Sequence, residues 1–160
     1  MAGNIFRKKV MLGQLNNAQI DEMLHREQVG RIGCYADDAV YVVPVSYAYD
    51  GACIYAHSRE GKKVEMMRKN PKICFEIDSM ENLANWRGVI LWGRYEELSD
   101  PKEQERGMQL LMDRFAPMIS SETAHPHQGM QAPGMEEKKH KAVVFQIVIE
   151  ERSGRFEKSN

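Results

Sequence analysis

The sequence holds 160 residues, 42% of them hydrophobic and 28% charged, with a formal net charge of −1. That length and composition fit a single domain spanning 1–160 with a core of its own. No apolar run approaches the roughly 20 residues that cross a bilayer, and so balanced a charge argues against general nucleic-acid binding.

The first ten residues, "MAGNIFRKKV", lack the apolar core of a signal peptide, so the expected location is cytoplasmic. "NNAQIDEMLHREQVG" predicts a short helix with Ile20, Met23 and Leu24 on one face, Asn16 or Asn17 as its cap and Gly30 at its end. "RIGCYAD" predicts a first strand and "DDAV" a turn. Val40 to Tyr49 predicts one long strand of β-branched and aromatic residues. Asp50-Gly51 is a hairpin signal, with "ACIYAH" as the returning strand. A helix from Glu60 to about Lys69 follows, stopped by Asn70-Pro71. "KICFEID" and "NWRGVILWGRYEEL" are the fourth and fifth strands. "SDPKEQERGMQLLMDRFAP" carries the plainest helix signals, with Asp100 as cap, Pro101 at the first position and a Met108, Leu111, Met112, Phe115 stripe. Residues 118–141 are polar, hold two prolines and two glycines, and predict a long loop. "AVVFQIVIEERSGRF" is the last strand. Hairpins and a late returning strand point to a mainly β fold: a six-stranded antiparallel barrel with accessory helices.

Two stretches carry chemistry. In "HSREGKK", His57 and Ser58 end a strand, and Gly61, Lys62 and Lys63 open a helix. A helix N-terminus favours an anion, Ser58 can donate its hydroxyl, and the lysines supply charge. The same residues also fit a solvated, capped helix start with surface lysines. The GxxxxGK[ST] spacing of a P-loop is absent. In "VYVVPVSYAY", Pro44 belongs at an edge or a bulge. Tyr41, Val43, Val45, Tyr47 and Tyr49 are expected on one face, and Val42, Pro44, Ser46 and Ala48 on the other, which is small and has one hydroxyl. A flat ligand could lie along that second face, and a guarded edge strand explains it equally well. Cys34, Cys53 and Cys74 lie in apolar runs without CxxC spacing and are expected as small buried hydrophobes. His125 and His127 offer an H-x-H pair, which chelates a metal only where other ligands converge; the plainer reading is a loop, and no metal site is expected.

Taken jointly, the mid-strand Val-Pro, Ile-Tyr-x-His-Ser, Gly-Lys-Lys, Asn-Pro and Trp-Arg-x-Val resemble the pyridoxamine 5′-phosphate oxidase-like superfamily of FMN-binding split barrels, and within it the nitroimidazole-resistance (Nim)-like branch. The resemblance covers Leu15 to Leu98, and the last strand more loosely. It implies a homodimer with FMN between the subunits. Position by position, Val43, Pro44, Val45 and Ser46 would flank the flavin ring. His57 and Ser58 would lie beside the ring and the ribityl-phosphate chain. Lys62 and Lys63 would hold the phosphate. Trp86, Arg87 and Val89 match a strand that contributes further flavin contacts, and Arg87 could reach the phosphate. Gly88 stands where split-barrel oxidases often carry a polar side chain, and so removes one hydrogen bond. The arginine-and-histidine pattern of true pyridoxamine phosphate oxidases is not evident in the last strand, so vitamin B6 oxidation is not expected.

The implied function is a flavin-dependent oxidoreductase taking electrons from a reduced nicotinamide and passing them to a small organic acceptor, nitroaromatic-like. No GxGxxG is present, so the nicotinamide would bind only transiently. Histidine is the side chain that most readily exchanges protons near neutral pH, and His57 is the candidate donor; a simple pairing of His57 with a loop carbonyl is the plainer reading. Two rival functions are a flavin or haem carrier without turnover and a cofactor-free dimeric module.

Overall fold

The computed structural model describes residues 10–118 and 142–159. In chain order these are β1 (Val10–Gln14), α1 (Asn17–Arg26), β2 (Val29–Ala36), β3 (Ala39–Ser46), β4 (Ala48–Tyr49), β5 (Cys53–Ser58), α2 (Lys62–Lys69), β6 (Lys72–Asn82), β7 (Asn85–Glu97), α3 (Pro101–Phe115), a 3₁₀ turn (Ala116–Met118) and β8 (Val143–Ser159). The predicted loop lies outside the described residues apart from Met118, and with it His125 and His127.

All strand pairings are antiparallel, in the order β3-β2-β6-β7-β8-β5-β4, with β1 added to β8. The eight strands replace the six expected, for two reasons. β1 gives no sequence signal because its residues are mostly exposed and its partner among the described residues is the far end of β8. The long strand Val40 to Tyr49 is really two. Through Ser46 it pairs with β2, and at Ala48–Tyr49 it pairs with β5. Tyr47 is the corner, and the two ends of the strand order meet through it. This corner closes the barrel.

The corner is well fastened. Tyr47 is fully buried, meets Phe75 edge-on at 5.0 Å, and donates its hydroxyl to the Leu24 carbonyl at 2.9 Å. Phe75 also explains Gly30, which sits inside β2 and not at the helix end: a Cβ there would lie 2.1 Å from the Phe75 ring. Helix α1 instead stops at Arg26, with Glu27 as C-cap, after a full capping box between Asn16 and Gln19. Ile32, Ile54, Phe75, Ile77, Val89, Leu91, Phe145 and Ile147 fill the barrel. Ile20, Met23 and Leu24 of α1 and Val64, Met66 and Met67 of α2 plug it.

Helix α3 begins as predicted, with the Asp100 carboxylate accepting from the backbone N–H groups of Lys102 and Glu103. Its packing face differs from the expected stripe. Met112 is exposed, and the contact centres on Gly107 and Leu111. Gly107 lets the helix settle on Leu98, Val144 and Tyr55, with its Cβ position only 3.1 Å from the first two. Between Trp92 and Gly93 the register shifts by one residue against β8. A Cβ at Gly93 would lie 2.3 Å from the Val148 carbonyl oxygen, so this bulge requires glycine. Of the cysteines, Cys34 is buried as expected, while Cys53 and Cys74 are only half-buried. No helix among the described residues is long and apolar enough to cross a membrane.

Candidate functional site

Strand β5 runs outward between β8 and β4, and its last two residues leave the core. Ala56 is buried, His57 is exposed opposite Val144, and Ser58 is half-buried opposite Val143. The Ser58 hydroxyl donates to the Arg59 carbonyl at 2.8 Å. Helix α2 starts only at Lys62, two residues later than expected, with Gly61 as N-cap and no side chain capping it. The space beside Gly61 is open, with nothing within 4 Å of its Cβ position. The first-turn amides therefore lack a side-chain acceptor, an arrangement that suits an anion.

The two lysines differ. Lys62 lies with its ammonium 4.9 Å from the centre of the Tyr41 ring. That cation–π contact ties the loop to β3. Lys63 is half-buried, and burial pulls its ammonium pKa below the ordinary lysine value. Neither forms an ion pair among the described residues. Their charges are thus available to a ligand.

One neighbouring group escaped the sequence reading. The Arg68 guanidinium donates to both Glu60 oxygens, at 2.8 and 2.9 Å, and to both Glu97 oxygens, at 2.7 Å each. Hydrogen bonds to Glu97 and then Glu60 raise its pKa well above the ordinary arginine value. No local motif joins residues 60, 68 and 97; only the pairing of β5 and β7 with β8 does.

Strand β3 divides its four candidates. Val45 points into the core and Val43 is half-buried beside Tyr41, while Pro44 and Ser46 are exposed on the opposite face. That outer face continues across the sheet in register, as Val42, Gly33, Cys74 and Trp92 in one row and Pro44, Arg31, Glu76 and Ile90 in the next. It is open and mixed, with Val42 63% and Trp92 42% exposed in the first row and Arg31 paired with Glu76 and Asp78 beside it. The exposed apolar side chains at the two ends of the first row suit a contact surface.

The remaining candidates lie elsewhere. Val89 is fully buried in the barrel, on a strand paired with β6 and β8 at that point, so it offers no exposed side chain. Trp86 donates its indole N–H to Glu157 at 2.9 Å. Arg87 is exposed opposite Ser79 and Phe156 and makes no ion pair among the described residues. It borders a cavity of about 440 Å³ with Gln19, Trp86, Phe156 and Lys158. Sequence reasoning missed Phe156 and Lys158 in this role, because only β8 pairing brings them beside Arg87. Gly88 faces open space on the outer side.

The structure therefore brings together β3 and the His57–Lys63 loop through Tyr41 and Lys62, and it sets Trp86 and Arg87 toward the other end of β7 from that loop. The loop is tied to Glu97, and Arg87 is ten residues away on the same strand. At 3.2–3.4 Å per residue that is roughly 30 Å along β7. The loop and Arg87 therefore belong to opposite ends of β7.

Comparisons with known proteins bear on this arrangement. A family model described as pyridoxamine 5′-phosphate oxidase matches residues 16–156. An FAD-binding protein of Mesorhizobium loti is similar in structure, with TM-score 0.73 and 30% identity, covering 93% of this chain and 98% of that one. A protein of Bacteroides thetaiotaomicron provisionally assigned to 5-nitroimidazole antibiotic resistance shares the fold, with TM-score 0.68 and 15% identity over 95% of this chain and 92% of that one. An uncharacterized protein of Rhizobium meliloti is 39% identical over 70 residues, which are 44% of this chain. The match spans 46% of that relative's length.

Proposed function

Because the chain belongs to the pyridoxamine 5′-phosphate oxidase family, we propose that it is a flavin-binding oxidoreductase that works as a homodimer, with FMN between the subunits. The observation that carries this reading is the placement of two cation-bearing groups at opposite ends of β7, with an open sheet face between them. A second copy laid against that face would supply the missing half of each site. The similarity to an FAD-binding protein of the same family supports a flavin as the ligand. The local chemistry fits one: uncapped helix amides, two cations without carboxylate partners, and a flat face ending in Pro44 and Ser46.

In this reading Ser58, Lys62 and Lys63 hold the phosphate, with the first-turn amides of α2 adding fixed dipoles. Val43, Pro44 and Ser46 border the ring, and Val45 and Val89 shape the wall from behind. Trp86 and Arg87 act from the other subunit, which places a further cation over the ligand. A bound flavin would supply the two-electron chemistry between a reduced nicotinamide and a small acceptor such as a nitroaromatic. His57 stands exposed at the strand end, where it can give a proton to the reduced acceptor. The outer face, once covered, excludes water from the ring side of the site.

The test is an FMN titration of the purified protein, read by flavin fluorescence quenching and the visible spectrum, alongside its oligomeric state. Saturable binding of one FMN per subunit to a dimer is expected, followed by nicotinamide-dependent reduction of a nitroaromatic. A protein that remains colourless and monomeric with excess FMN overturns the proposal. A Soret band on adding haemin, without flavin uptake, would instead favour a haem carrier.

A further inference from the structure

We propose that Arg68 is a positioning residue of the Ser58–Lys63 loop, holding Glu60 away from the seat meant for a ligand phosphate. The inference rests on the reading of that loop as the flavin-phosphate site. Glu60 lies immediately before the Gly61 N-cap, where a carboxylate is drawn to a helix N-terminus and to neighbouring lysines. Nothing in its own sequence position keeps it from folding over Lys62 and Lys63. Arg68 does so by taking both of its oxygens, at 2.8 and 2.9 Å. The other edge of the same guanidinium is fixed on Glu97 at 2.7 Å, and Glu97 accepts from the buried Tyr95 hydroxyl at 3.0 Å. Arg68 is thus anchored to the barrel wall, and Glu60 is anchored to Arg68. Among the described residues Glu60 has no other ion-pair partner. Released, it would be an anion built into the chain and competing for the anion seat.

The two roles of Arg68, support of the fold and restraint of Glu60, separate by comparing FMN with riboflavin, which lacks the phosphate. Dissociation constants for both flavins would be measured on the wild type, Arg68→Met, Glu60→Gln, the pair Arg68→Met/Glu60→Gln, and Lys62→Ala/Lys63→Ala. Arg68→Met is expected to weaken FMN about tenfold, the scale of one misplaced charge near a partly screened site, and to leave riboflavin unchanged. Adding Glu60→Gln should restore most of the FMN affinity, and Glu60→Gln alone should change little. If Arg68→Met weakens both flavins alike, or the double variant is not restored, Arg68 only supports the fold and the inference fails. If the paired lysine variant loses the preference for FMN while Arg68→Met keeps it, the phosphate seat stands and the role of Arg68 falls. A wild type indifferent to the phosphate removes both. Both carboxylates are partly exposed, at 51% and 36%, so Arg68→Met leaves no buried unpaired charge and folding is expected to survive.

Discussion

Replacing Lys62 and Lys63 together by alanine tests the phosphate seat most directly. Each lysine would make one charge-assisted contact with a bound phosphate, worth about 1.5–3 kcal/mol in a favourable setting. The exposed Lys62 belongs at or below the low end of that range because water screens it, and the half-buried Lys63 sits higher. A combined loss of about 2–4 kcal/mol corresponds to roughly 30- to 700-fold weaker FMN binding. The fold should tolerate the change, since the cation–π contact of Lys62 with Tyr41 is worth only about 0.5–1 kcal/mol at an exposed site. Fluorescence quenching gives the dissociation constant, and a thermal melt checks the fold. The pH profile adds a second reading. Burial lowers the Lys63 pKa, so the wild type should lose FMN affinity on the alkaline side earlier than an ordinary lysine would dictate, and Lys63→Ala should lack that early limb. FMN affinity that is unchanged in the double variant, with the fold intact, would refute the assignment.

Three further outcomes are expected. Trp92→Glu puts a charge on the outer face, next to Glu151 across the strand pair, and should turn a dimer into a monomer that no longer retains FMN; sedimentation velocity reads the first and the visible spectrum the second. Gly93→Ala forces a Cβ to 2.3 Å from the Val148 carbonyl oxygen, and should lower stability by about 2 kcal/mol or more, seen as a Tm drop of several degrees. Burial raises Tyr49 and Tyr55 to about 12, with hydrogen bonds to Asp21 and Asp50 adding to it, and raises Tyr47 and Tyr95 further. The folded state therefore holds protons that the unfolded chain releases near pH 10, so this stability is present below about pH 10 and lost as pH rises through 12. Tyrosinate absorbance should appear together with loss of the far-ultraviolet helix and strand signal, and a protein that ionises all its tyrosines while still folded at pH 10 would contradict the burial argument.

Much of the architecture was legible because its signals are local. Asp100 and Pro101 start α3, Asp50-Gly51 turns a hairpin, and Asp37 and Asp38 take the positive φ of 51° and 55° that a tight turn requires. The misread positions all depend on distant partners. Gly30 reads as a helix stop until Phe75 arrives to fill its space. Tyr47 reads as mid-strand because nothing nearby says that the next two residues pair with β5 and not β2. Met112 falls within the apolar period of α3, yet Gly107 rotates the contact away from it. The site divides in the same way. Ser58, Lys62 and Lys63 are adjacent in sequence and were visible there, whereas the Arg68 fork and the Arg87 cavity draw on β7 and β8 and exist only after the sheet has formed.

Strand β8 pairs along one edge with β7 and along the other with β5 and then β1, so that Val10 finds Ser159. It follows every other strand in synthesis. Until it emerges, β5 and β7 have no partner between them, and the two strands that carry His57 and Arg87 are both exposed edges. Contacts of such long sequence separation are slow to form. The nascent chain must therefore wait with half a sheet open, at risk of pairing with a neighbour on the same message. The step that ends that risk is the same step that first sets β5 and β7, with His57 and Arg87, in one finished sheet.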